Sequence, residues 1–227
     1  MKEFWGLRLL LVMLSIALSD YAFAKEDSDL IKSLSRKEGG ANTLYIENKG
    51  QIGDQNGKPN ASVKYLILRP GLNIQLKANS FSYDAYTVER FKRIERLEEP
   101  LHSKFDKQND DSLVYHFSRV DIELVDANPN PEITQEGASS DYLNYYTHIT
   151  SQTHGEEGVT GIKGYSTITY HDIYPNIDLE WFLDKDGKPE YQFIINPGGD
   201  PSRIRLKYHG AKKTELISDA ILIHIKP

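Results

Sequence analysis

The stretch Ile177-Asp-Leu-Glu-Trp-Phe-Leu-Asp-Lys-Asp-Gly-Lys-Pro-Glu-Tyr-Gln-Phe-Ile-Ile195 decides the fold. Ile177, Leu179, Trp181 and Leu183 recur at every second position, with Asp178 and Glu180 among the residues between them. Successive side chains of a strand point to opposite faces, so this pattern predicts a strand with one face on a core and one in water. Asp186-Gly187 interrupts it with a pair suited to the left-handed backbone of a hairpin turn. Tyr191 and Phe193 then resume the alternation on a returning strand.

The same period runs outward in both directions. Leu72, Ile74 and Leu76 alternate with Asn73 and Gln75, and Val120, Ile122 and Leu124 with Asp121 and Glu123. Ile204, Leu206 and Tyr208 follow, and Ile221, Ile223 and Ile225 close the series. Asn56-Gly57, Pro70-Gly71, Asn128-Pro129-Asn130-Pro131 and Asn196-Pro197-Gly198-Gly199 punctuate the strands with turn chemistry. Many short strands so spaced predict an all-β, antiparallel, sandwich-like fold. The order of strands around Gly71–Leu76 resembles that around Tyr174–Leu179, each followed by a Tyr-bearing and then an Arg-led strand. Two similar β-subdomains, at 43–136 and 138–227, would produce this, as would chance alternation in two β regions. Glu89–Asp110 breaks the pattern with a run of charges; Phe91, Ile94 and Leu97 fit a short helix ended by Pro100, and a solvated excursion fits equally.

The chain has 227 residues, no cysteine, and a formal net charge of −6 from 27 Lys+Arg and 33 Asp+Glu. Without Cys there are no disulfides, thiolate metal sites or Cys nucleophiles. The acidic balance excludes the basic footprint of a general nucleic-acid binder. At the start, Lys2 and Arg8 precede the apolar run Leu9–Leu18, and Ala22-Phe23-Ala24 is a small-x-small site. That order predicts a signal peptide over 1–24, cleaved after Ala24, and the run is short of the roughly 20 residues that span a bilayer. A polar leader over 25–42 and a β-rich domain over 43–227 follow. No transmembrane segment is expected after cleavage.

Candidate chemistry is sparse. Asp178 and Glu180 share a strand face about 7 Å apart, a separation within reach of a glycosidase pair; Glu190 is the third carboxylate of a hydrolase reading, and a wet strand face is the plainer one. The seven His residues form no His-x-His or His-Glu-x-x-His, so no metal site or cofactor is expected. Asp54-Gln55-Asn56-Gly57 and Asp184-Lys185-Asp186-Gly187 echo calcium loops, but the Gly falls early, as in a hairpin turn. Gly155, Gly158, Gly161 and Gly164 predict a flexible loop. Tyr142, Tyr145 and Tyr146 are the candidates for stacking a ligand, with packing as the alternative role.

Tyr45-Ile46-Glu47-Asn48-Lys49-Gly50-Gln51, Val125–Pro131 and Tyr170-His171-Asp172-Ile173-Tyr174-Pro175-Asn176-Ile177-Asp178-Leu179 together resemble an uncharacterised bacterial export domain found ahead of SBBP-type β-propeller repeats or surface-sorting modules. Asn176 stands where that family usually has Gly. The resemblance implies an exported, β-rich, non-catalytic surface module, and no functional residues carry over. The chain ends at Pro227 with neither repeats nor sorting module, which suggests a stand-alone or shortened relative. The expectation is therefore a structural or interaction module, periplasmic, at the cell surface or extracellular, with an unidentified protein or glycan partner. A carbohydrate-binding module is the first alternative, and a glycan hydrolase using the carboxylates is the second.

Overall fold

A computed structural model describes residues 8–9, 44–91, 112–217 and 220–225. The cleavage site at Ala22 and Ala24, the leader over 25–42 and positions 92–110 of the charged stretch Glu89–Asp110 lie outside the described residues, while Glu89, Arg90 and Phe91 of that stretch close a strand and not a helix. The strands are β1 (Arg8–Leu9), β2 (Tyr45–Glu47), β3 (Tyr65–Arg69), β4 (Leu72–Leu76), β5 (Ser80–Phe91), β6 (Ser112–Leu124), β7 (Glu132–Glu136) and β8 (Leu143–Tyr145). A short helix, α1 (His148–His154), precedes β9 (Val159–Ile162), β10 (Gly164–Tyr165), β11 (Thr167–Tyr174), β12 (Ile177–Leu183), β13 (Pro189–Ile195), β14 (Leu206–His209), β15 (Lys213–Ile217) and β16 (Ala220–His224).

Two antiparallel sheets form the body of the molecule. One has the order β10-β2-β3-β4-β5-β6-β14 and the other β1-β13-β12-β11-β7. The fold is all-β, as the alternation predicts. Strands from 43–136 supply most of the seven-stranded sheet and strands from 138–227 most of the five-stranded one. Each sheet nevertheless takes edge strands from the other stretch: β7 joins the second, and β10 and β14 join the first.

The inner faces meet in a single apolar cluster. Ile67, Ile74, Leu76, Phe81, Val120 and Ile122 oppose Ile168, Ile177, Leu179, Trp181 and Phe193. Trp181 sits at its centre, 4.8 Å from Phe81 and 4.9 Å from Tyr191 between ring centroids. Tyrosines fill much of the rest: Tyr45, Tyr65, Tyr83, Tyr170 and Tyr191 are all buried. Some of their hydroxyls bridge the layers. Tyr45 donates to the Phe182 carbonyl at 3.0 Å, and Gln135 of β7 donates to the Tyr65 hydroxyl. The hairpin β15–β16 adds Ile221, Ile223 and Ile225 beneath the inner face of β5 and β6.

Turns and loops follow from named side chains. At Asp184-Lys185-Asp186-Gly187 the Asp184 carboxylate accepts the amides of Asp186 and Lys188 at 2.8 and 2.7 Å, and Gly187 takes a φ of 73°. Asp54 repeats this with Asn56 and Lys58 at 2.8 and 2.9 Å. Both candidate calcium loops are thus Asx-type turns. Those amide bonds hold both carboxyls below the usual carboxylate range. The flexible loop expected at 155–164 is instead a short 3-10 turn followed by β9 and β10. Close approach explains the difference, since a Cβ at Gly158 would lie 2.5 Å from the Tyr145 carbonyl oxygen. Just before it, Thr147 and Thr150 cap α1 reciprocally, a box the periodicity did not flag.

Candidate functional site

Two of the three stretches that carry the family-like motifs prove to be turn and loop builders. Asn48 donates to the carbonyls of Asn60 and Val63 at 2.9 and 2.7 Å and accepts the Gly50 amide at 2.9 Å. Gln51, almost fully buried, donates to the Glu47 carbonyl at 2.6 Å. In the second motif, Asp172 and Asn176 adopt φ values of 49° and 57° where β11 turns into β12. Asp178 closes this turn by accepting the Asp172 amide at 2.8 Å and the Asn196 side chain at 3.1 Å.

Asp178, Glu180 and Glu190 lie on the outer face of the five-stranded sheet, by their register with Ile194, Gln192 and Phe182. Glu180 accepts a hydrogen bond from Gln192 at 2.6 Å. The structure also brings His171 here, which sequence spacing did not pair with Asp178. Thr134 Oγ1 is 2.8 Å from His171 Nε2, and His171 Nδ1 is 3.8 Å from Asp178 Oδ2. The order is that of a nucleophile relay, but the second distance exceeds a hydrogen bond and Asp178 already serves the turn. A shallow depression lined by Asp126, Tyr174, Ser202, Arg203 and Arg205 is walled by groups bonded to one another: Arg205 pairs with Asp126, and Tyr174 donates to the Arg205 carbonyl. Among the described residues no group of three or more His, Asp or Glu could hold a metal ion, and no helix is long and apolar enough to cross a membrane.

The three tyrosines chosen from sequence are placed unequally. Tyr142 and Tyr146 are 63% and 68% exposed on either side of β8, whereas Tyr145, within it, is half-buried. The Tyr146 ring leans on Gly158, where a Cβ would lie 2.6 Å from Tyr146 Cδ1.

A second aromatic group is closer-knit and was not singled out from sequence. β5 and β6 pair from Ser80↔Glu123 to Phe91↔Ser112, whereas β4 accompanies β5 only as far as Ala85 and β14 accompanies β6 only over 121–124. Beyond those points no other strand among the described residues pairs with them, and the two run on as a ribbon. On its outer face Tyr115 and Phe117 lie 6.1 Å apart with ring planes at 16°, and Tyr86 is 6.0 and 5.6 Å from them. Phe117 is 62% and Tyr115 44% exposed. Tyr86 is held by its hydroxyl, which donates to the Arg69 carbonyl at 3.1 Å. The legible signal was the alternation Leu113, Tyr115, Phe117, masked by its position directly after the charged run.

Beside the rings, on the same face, lies a fixed polar row. Arg119 donates to Asp84 at 3.2 Å, to Asp121 at 2.9 Å and to Ser82 at 2.8 Å. Gln75 donates to Asp84 at 2.8 Å, and Lys77 lies 3.7 Å from Asp121. Burial pushes the Asp84 carboxyl up, and the Arg119 charge offsets only part of this. Burial acts the same way on Asp121, but hydrogen bonds from Arg119 and Ser82 outweigh it and leave that carboxyl low. Aromatic faces next to ordered planar donors and acceptors can recognise a partner without rearranging.

A family model described only as a domain of unknown function matches residues 45–226. No curated protein and no solved structure matches the chain.

Proposed function

Because the chain belongs to the DUF7948 family, a domain of unknown function, we propose that it is an exported, non-catalytic β-sandwich that acts by recognition in the cell envelope or at the cell surface. The observation that carries this reading is the ring group Tyr86–Tyr115–Phe117, with Tyr115 and Phe117 exposed, on a ribbon that extends beyond its sheet. Large exposed aromatics on a rigid frame are costly to keep in water and are characteristic of contact surfaces. Export rests on the charged start, the apolar run to Leu18 and the Ala22-Phe23-Ala24 site, and cleavage there removes β1 and leaves β13 as an edge strand. Placement ahead of SBBP-type repeats in longer relatives belongs to the same proposal and rests on the Asn48 and Asp172–Asp178 motifs.

The test is binding of the purified chain from Lys25 onward to envelopes isolated from the source cells. The wild-type chain is expected to sediment with them, and the Tyr115→Ala/Phe117→Ala double variant to bind at least about tenfold more weakly, the equivalent of about 1.4 kcal/mol. Equal binding by the two overturns the reading. Detection of the chain in the cytoplasm alone, uncleaved at Ala24, overturns the export.

A further inference from the structure

We infer that the ligand of this face is an uncharged polysaccharide chain, lying along the ribbon with its sugar C–H faces on Tyr115 and Phe117 and its hydroxyls against Asp84, Arg119 and Gln75. The inference rests on the recognition reading above and adds the ligand class to it. A pyranose ring presents an apolar C–H face and a rim of hydroxyls, so its site needs an aromatic surface and planar donors and acceptors side by side. The ribbon supplies both: three rings within 5.6 to 6.1 Å of one another, and Asp84 already oriented by Gln75 at 2.8 Å and Arg119 at 3.2 Å.

Charge and area narrow the choice. Asp84 and Asp121 face Arg119 and Lys77, so the row carries matched signs. Single-stranded nucleic acid also stacks on aromatics, but it needs a positive groove along its backbone. The exposed apolar area of this face is a single row along β6, with Phe117 62%, Tyr115 44% and Leu113 37% exposed. A strip that narrow suits a chain-like ligand.

The experiment has two arms. In native gels containing β-glucan, xylan or galactomannan, the wild-type chain is expected to be retarded in at least one. Retardation should weaken, the dissociation constant rising at least about tenfold, for Tyr115→Ala and for Phe117→Ala. Both positions are exposed, and unchanged circular dichroism checks the fold. In the second arm, envelopes are treated with periodate, which cleaves vicinal diols, or with protease, before binding. Loss after periodate and survival after protease support the inference. Ring-dependent binding that survives periodate and is lost to protease overturns the glycan and leaves the recognition reading standing. Ring-dependent self-association, seen by analytical ultracentrifugation, in place of retardation also overturns it. No ring-dependent binding in either arm overturns both.

Discussion

Tyr170 buries its hydroxyl without a hydrogen-bond partner among the described residues, while Tyr45 spends its own on the Phe182 carbonyl. An unpaired buried polar group costs about 1–3 kcal/mol. Tyr170→Phe is therefore expected to hold or raise stability by about 1 kcal/mol, and Tyr45→Phe to lower it by about 1 kcal/mol, in denaturant titrations. A loss of stability from Tyr170→Phe would mean the hydroxyl has a partner. The two acids around Arg119 give a second test at this scale. Asp84 is raised chiefly by burial. Asp121, also pushed up by burial, ends low because Arg119 and Ser82 hold it. The stability from Asp121 is fully present above its unfolded value and is lost as pH falls through its depressed native value. The raised Asp84 has the opposite sign, a cost at neutral pH that is relieved as pH falls through its elevated native value. Carboxyl-carbon NMR titration should find Asp84 protonating first; the reverse order would refute the account.

At the scale of elements, the turn between β11 and β12 is the most exacting piece of backbone. Asn176 holds a φ of 57°, which side chains other than Gly and Asn adopt only at about 1–2 kcal/mol. Asn176→Gly should be near neutral and Asn176→Ala should lower stability by about that amount, read from thermal melts. This turn also shows what the sequence could reveal. The alternation from Ile177 to Leu183 and the Asp186-Gly187 turn were readable because strand period and turn chemistry are local. The Asp172–Asp178 motif was readable as a pattern but not as a staple, since the Asn196 side chain reaches Asp178 from the end of β13. The ring group was harder still. Tyr86 and Phe117 are 31 positions apart in sequence and meet only because β5 and β6 run on past their neighbours. No single-strand period records where a neighbouring strand stops.

At the scale of the whole molecule, the shared core makes a claim about cooperativity. Trp181 touches Tyr45 and Phe81 from the opposite sheet, so neither layer can leave without opening the other. Trp181 fluorescence and far-ultraviolet circular dichroism should follow one common unfolding curve. Two separated transitions would instead assign independent folding to 43–136 and 138–227. The tyrosines of that core carry one more consequence. Burial raises the hydroxyl pKa of Tyr45, Tyr65, Tyr83, Tyr170 and Tyr191 above the ordinary 10.0. Above about pH 10 the unfolded chain sheds these protons while the native one keeps them, so each residue withdraws stability as pH rises toward its own raised native value. The losses act together on a total that is about 5–15 kcal/mol for a typical domain. The share of the phenolate absorbance that belongs to these five buried rings should therefore lag and then rise abruptly together with unfolding. A chain with no thiols to oxidise is still open to alkali, which draws protons from the unfolded chain and so opens both sheets at once.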